Sequence, residues 1–229
     1  AFQLQKISFG IQQAEFADYT IPDNGFIKGE KLEAYINRML RNTPMEKLRI
    51  PFYAVATDIQ SGSEVVFGSG NTGSAVRASC SIPGVFSPAA IGGRMYVDGG
   101  LVSPVAVDAA LRQGADVVIA VDISGGLNRT VPDGMIASVK KSVDIMYSRI
   151  AEYQIKNADI VIRPDMRKIG STDMEKFNEA IFEGEAEVLA DPGNAGIPDQ
   201  ADICVGVCAR TDVNGGHGRL RGNKVVSFS

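Results

Sequence analysis

Met95-Tyr96-Val97-Asp98-Gly99-Gly100 ends a run of strand formers on an acid and two glycines, and the residues that follow decide the fold: Ser103-Pro104, an apolar stretch through Leu111, Gly114, then Val117-Val118-Ile119-Ala120-Val121. Ser103 reads as a helix N-cap and Pro104 as the first helical residue, where the missing N–H of proline does no harm. Gly114 reads as the stop. The unbroken β-branched run after it fits a strand buried on both faces. Strand, helix, strand is the pattern of a parallel sheet with a helical crossover.

Working outward, the same alternation continues. Downstream, Ile136, Val139, Val143, Met146, Ile150 and Tyr153 repeat at three and four, predicting a long helix whose apolar stripe packs on the core rather than forming an oligomer seam. Ile160-Val161-Ile162 reads as the next buried strand. Upstream, Leu32, Tyr35, Ile36, Met39 and Leu40 give residues 30–41 one apolar helical face. Phe52 to Thr57 and Glu64 to Phe67, separated by Ser61-Gly62, read as a β-hairpin, and a short helix around Ala75 to Ala78 stops before Pro83. The expectation is an α/β fold: a largely parallel sheet with helices on both faces. Beyond about Asp191 the sequence turns glycine-rich and loses its periodicity, so residues 191–229 read as a poorly structured or divergent tail.

Composition narrows the function classes. The 229 residues carry 23 Lys plus Arg against 27 Asp plus Glu, a formal net charge of −4 with no basic block, which argues against nucleic acid as a partner. No stretch approaches the roughly 18 consecutive apolar residues that a membrane span needs, so contact with membrane is expected to be peripheral. The odd count of three cysteines, Cys80, Cys204 and Cys208, does not make a disulfide framework and favours a reducing compartment, with secretion left open because the chain starts in mid-pattern.

The chemistry points to Asp98. A carboxylate at the end of a strand, in the region where open α/β sheets bind ligands, can hold or deprotonate a nucleophile. Two glycines after it let another backbone or a substrate come close. A plain Asp-Gly turn satisfies the same residues. Gly68-Ser69-Gly70-Asn71-Thr72-Gly73 matches the dinucleotide pattern G-x-G-x-x-G after a strand, but Pro83 leaves too little helix for the crossover that the fingerprint requires. No serine has glycine two residues away on each side, so the G-x-S-x-G elbow is missing. The only histidine, His217, lies in the glycine-rich tail, so hydrolysis supported by Asp98 would use a Ser-Asp dyad with the carboxylate as base. Cys204, Cys208 and His217 do not have the ligand number or spacing of a closed zinc site, and no metal is expected.

Two longer stretches carry a resemblance. Ala75-Val76-Arg77-Ala78-Ser79-Cys80-Ser81-Ile82-Pro83-Gly84-Val85-Phe86-Ser87-Pro88, followed by Tyr96-Val97-Asp98-Gly99-Gly100-Leu101-Val102-Ser103-Pro104-Val105, resembles the patatin-like phospholipase family. The likeness extends back through Gly25-Phe26-Ile27-Lys28-Gly29-Glu30 and Val55-Ala56-Thr57-Asp58, and forward to Asn178-Glu179-Ala180-Ile181-Phe182-Glu183-Gly184. It implies that residues 1–190 are the C-terminal part of a patatin-like phospholipase domain of bacterial type. The fold it implies is a three-layer α/β/α sandwich with a mainly parallel central sheet, truncated at its N-terminus.

By the same resemblance Asp98 is the dyad aspartate, and Gly99 with Gly100 completes the Asp-Gly-Gly signature. The glycine-rich oxyanion loop and the nucleophile elbow belong upstream of the segment corresponding to Phe26 to Gly29. The chain by itself is therefore expected to be inactive, its parent hydrolysing acyl esters of phospholipids or lysophospholipids without metal or organic cofactor. The alternative is a non-catalytic lipid-binding or scaffold member of the fold.

Overall fold

The computed structural model describes residues 18–19, 26–124, 131–166, 169, 176–190, 207–209 and 226–228. Among the described residues five α-helices are interspersed with strands: α1 (Glu30–Met39), β1 (Phe52–Asp58), β2 (Glu64–Phe67), α2 (Thr72–Ser79), β3 (Ala89–Ile91), β4 (Arg94–Asp98), α3 (Val107–Arg112), β5 (Ile119–Val121), α4 (Met135–Gln154), β6 (Ile160–Ile162) and α5 (Phe177–Ala190). Two further strands, β7 (Val207–Ala209) and β8 (Val226–Phe228), fall within the tail. The other residues of 191–229, Cys204 and His217 among them, lie outside the described residues, as does Gly25.

The chain is α/β, and its strands form one sheet in the order β3-β4-β1-β8-β7-β5-β6, with β2 also paired to β1. The parallel character is only partial. β1–β8 and β5–β6 run parallel, whereas β1–β2, β1–β4, β3–β4, β5–β7 and β7–β8 are antiparallel. This corrects the expectation of a mainly parallel sheet, and at β3–β4 the reason is turn length. Gly92 and Gly93, with φ of 58° and 79°, are all that separates Ile91 from its partner Arg94, and a two-residue link can join only antiparallel strands. The predicted β1–β2 hairpin is present, with Ala54 opposite Phe67 and Thr57 opposite Glu64. Its turn is held by Asp58, whose Oδ1 accepts from the Gln60 and Ser61 amides at 2.9 and 3.1 Å.

Helices cover both faces, as the period-two alternation of β1 shows. Ala54 and Ala56 pack with Ala75 and Ala78 of α2, while Val55 between them packs with Ala106 and Ala109 on the opposite side. Further along the sheet, Val118 and Ala120 meet Val107, Ala110, Ala151 and Ile155. Alanines at these contacts let the helix axes approach the sheet closely, so burial comes from many small side chains rather than a few large ones.

Two local expectations change in the fold. Ser103 and Pro104 do not open a helix: α3 starts at Val107 after Ala106, which takes a positive φ of 52°. Asp98 instead caps a 3-10 turn over Gly99–Leu101, and Ser103 is buried against the side chain of Gln154 from α4. Gly114 does end the helix, with φ of 86°. The second change concerns α4. Its stripe faces outward at Val139, Met146 and Tyr153, which are 62%, 57% and 69% exposed, while Ala151, Gln154 and Ile155 turn inward. Small and polar residues fill the side that approaches the sheet, which an apolar periodicity cannot reveal. The side chain of Ile136 lies outside the described residues.

The glycine-rich loop Gly68 to Gly73 serves packing. The Gly70 amide donates to Glu46 Oε2 at 2.8 Å and the Gly73 amide to Asn37 Oδ1 at 3.0 Å, and a Cβ on Gly73 would strike the carbonyl of Glu33. Amides already paired, one of them to an acid, leave no cradle for a phosphate. The helix that follows spans only eight residues. No helix among the described residues is long and apolar enough to cross a membrane.

Candidate active site

Three segments meet at Asp98, at the end of β4. The Asp98 amide donates to the carbonyl of Ser81 at 3.0 Å, and the Asp98 carbonyl accepts from the Thr57 hydroxyl at 2.8 Å. Ala56 of β1 is the ladder partner of Asp98. The backbone of the aspartate is thus pinned on one side by the loop after α2 and on the other by β1. That loop is itself anchored, because the Phe26 and Ile27 amides donate to the Val85 carbonyl and the Ser87 amide donates to the Ile27 carbonyl. The separate motifs quoted from the sequence therefore converge in one place.

Gly99 and Gly100 are required by close approach. A Cβ on Gly99 would run into the Val55 carbonyl, with the carbonyl carbon 2.7 Å away. A Cβ on Gly100 would lie 2.5 Å from the hydroxyl oxygen of Tyr147, which α4 brings over the turn. Real non-bonded contacts of a methyl group sit near 3.5–4 Å, so neither position has room for a side chain. The turn then folds back on its own acid, and the Gly100 amide donates to Asp98 Oδ1 at 2.7 Å.

Burial of the Asp98 carboxyl pushes its pKa up from the ordinary carboxylate value to about 6, against the opposing pull of the Gly100 amide. Such an acid is still ionised at neutral pH, and it takes up a proton more readily than a solvated aspartate. Its neighbours respond to it. Burial first, and then the nearness of Asp98, push the Cys80 thiol up to about 12, so Cys80 stays protonated and is no nucleophile. Tyr147 is held above the ordinary phenol range by burial and by facing the carboxylates of Asp98 and Asp122.

Asp122, directly after β5, is the second buried carboxylate at this end of the sheet, 5% exposed. Its Oδ1 accepts from the Ser124 amide at 3.0 Å, and its Oδ2 lies 3.5 Å from Arg163 Nε. Sequence reasoning picked out Asp98, Gly99 and Gly100 but neither Asp122 nor Tyr147. Tyr147, four residues after Val143 and three before Ile150, sits at the edge of the apolar stripe of its helix and so reads as packing, with nothing local to signal a role at a site. Among the described residues no three His, Cys, Asp or Glu side chains gather as a metal site.

Comparison with known proteins agrees with this arrangement. The family model described as patatin-like phospholipase matches residues 5–111, which hold β1 to β4, the Asp98 turn and most of α3. An uncharacterized NTE family protein of Mycobacterium tuberculosis is 36% identical over 108 residues, covering 47% of this chain and 30% of that protein. A second uncharacterized NTE family protein of the same organism is 26% identical over 198 residues, covering 76% of this chain and 34% of its own length. The patatin-like phospholipase domain-containing protein 7 of Mus musculus is 32% identical over 108 residues, 46% of this chain and 8% of that one. The chain thus spans about a third of the mycobacterial relatives. Motif convergence, the Asp-Gly-Gly turn and these matches agree: over residues 5–111 the chain matches the patatin-like phospholipase domain.

Proposed function

We propose that the protein to which this chain belongs is a lipid acyl-ester hydrolase of the phospholipase A or lysophospholipase type, in which Asp98 is the general base for a serine nucleophile. The observation that carries this reading is the Asp98 turn: a partly buried carboxyl with its pKa raised to about 6, held by one amide at the end of a strand. The serine Oγ attacks the ester carbonyl carbon while its proton passes to the Asp98 carboxylate. The tetrahedral intermediate collapses to an acyl-serine as the alcohol leaves with that proton. Water, deprotonated in turn by Asp98, releases the fatty acid. No serine of these 229 residues stands in a G-x-S-x-G context, so the nucleophile and the oxyanion donors are assigned to sequence outside them. The substrate is a lipid because the matched family model is described as a phospholipase. The site is proposed to reach its substrate at a membrane surface, as a peripheral enzyme.

The test is hydrolysis of p-nitrophenyl butyrate by the 229-residue chain and by the natural protein containing it, each with Asp98 and with Asp98→Ala. The chain alone should be inert. The natural protein should turn over, and Asp98→Ala should lower its kcat by roughly a thousandfold, within the range ascribed to a general base. An Asp98→Ala protein as fast as the native one removes the dyad. A natural protein that binds phospholipid vesicles without hydrolysing any ester leaves the non-catalytic binding reading in its place.

A further inference from the structure

Gly100 does two things at once. Its amide holds Asp98 Oδ1 at 2.7 Å, and its α-carbon lies under the ring edge of Tyr147, so close that a Cβ there would be 2.5 Å from the phenol oxygen and 2.7 Å from Cζ. Tyr147 is a rigid planar side chain on a 20-residue helix. That helix is tied to the same turn by Gln154, whose Nε2 donates to the Val102 carbonyl and the Ser103 hydroxyl at 3.3 Å each. Helix and turn are therefore one packed unit, and the ring cannot move aside without disturbing the contacts of the helix.

We propose that Tyr147 is a positioning residue for Asp98: its ring clamps Gly100 so that the Gly100 amide stays aimed at Oδ1, leaving Oδ2 to face the nucleophile. The role in turnover rests on the hydrolase reading above; the clamp itself does not. Gly100 and Tyr147 are a size-matched pair, one small because the other is large.

The experiment is a two-residue cycle in the 229-residue chain, comparing native, Gly100→Ala, Tyr147→Ala and Gly100→Ala/Tyr147→Ala. Two quantities are read: the melting temperature, and the titration of the Asp98 carboxyl carbon by 13C NMR, assigned with Asp98→Asn. Gly100→Ala should lower the melting temperature and move the Asp98 titration up by about half a unit or more, because the displaced amide no longer favours the carboxylate. Tyr147→Ala, which keeps Gly100 but removes the ring, should move the Asp98 titration in the same direction, and the double variant, which has room for the new methyl but no clamp, should recover the melting temperature while the titration stays displaced. A melting temperature that falls without any change in Asp98 titration reduces the pair to packing and overturns the proposal. So does a Tyr147→Ala chain in which Asp98 titrates as in the native chain. If Gly100→Ala does not fold, Tyr147→Ala carries the test: a folded Tyr147→Ala chain whose Asp98 titration has moved up supports the clamp, and one that titrates as the native chain overturns it. Both readouts are independent of substrate, so a clamp that behaves as expected in a protein without esterase activity would sink only the hydrolase reading.

Discussion

Replacing Asp98 by asparagine should make the chain more stable at pH 8 and leave it unchanged near pH 4. An ordinary aspartate ionises near 3.8, whereas Asp98 in the fold ionises near 6 because burial disfavours its charged form. At pH 4 the carboxyl is protonated in the folded chain and only about half ionised in the unfolded one, so the penalty is small, and below about pH 3 it is gone. As pH rises from about 4 to 6 the unfolded chain gives up its proton first, so the native state binds more protons and stability falls. Above about 6 the full penalty is present. Two pKa units at 1.36 kcal/mol each make it about 3 kcal/mol at most, and water reaching the rim of the site lowers the expectation to about 1–3 kcal/mol. Asparagine keeps an oxygen for the Gly100 amide and carries no charge. With a urea m-value of about 2 kcal/mol/M, the midpoint should rise by about 0.5–1.5 M at pH 8. The chain has no tryptophan, so unfolding is followed by circular dichroism. An asparagine variant that is less stable at pH 8, or whose advantage is the same at pH 4 and pH 8, refutes the claim that the fold holds this carboxylate at a disadvantage.

The same raised pKa predicts that kcat/KM of the natural protein for an ester falls on the acid side with a midpoint near 6; a limb near 4 would mean that Asp98 is not the group titrating. Gly99→Ala forces a methyl group onto the Val55 carbonyl and should destabilise the chain by about 2–3 kcal/mol in urea titrations, while alanine at the exposed Gly92-Gly93 turn should matter only through its positive φ. Gln154→Leu leaves the Val105 amide and the Val102 carbonyl without that side chain and should lose about 2 kcal/mol; faster hydrogen exchange at Val105 would locate the loss.

Legibility differed from residue to residue. The β1–β2 hairpin was readable because Ser61-Gly62 separates two runs of strand formers, and register follows from so short a turn. Asp98 with Gly99 and Gly100 was readable as a tight turn at a strand end because an acid and two glycines there are a local arrangement. Asp18 shows what is not local: its carboxylate accepts from the Gly29, Glu30 and Lys31 amides at 2.7, 2.8 and 3.2 Å and caps α1 from more than ten residues away. Nothing in the sequence around Gly29 announces that cap, and Gly29 itself offers no side chain for it.

What the sequence determined by itself, then, was the class of fold and the family likeness, because periodicity, turn chemistry and motif are properties of neighbours along the chain. Tertiary structure decided the rest. The two-glycine turn made the β3–β4 pairing antiparallel, and Ser103, held by Gln154, lies ahead of α3 instead of capping it. The close approach of α4 turned its small residues inward and set Tyr147 over Gly100. These outcomes depend on which surfaces meet in space. Two residues 47 positions apart, such as Gly100 and Tyr147, acquire a shared constraint only when a helix closes over a turn.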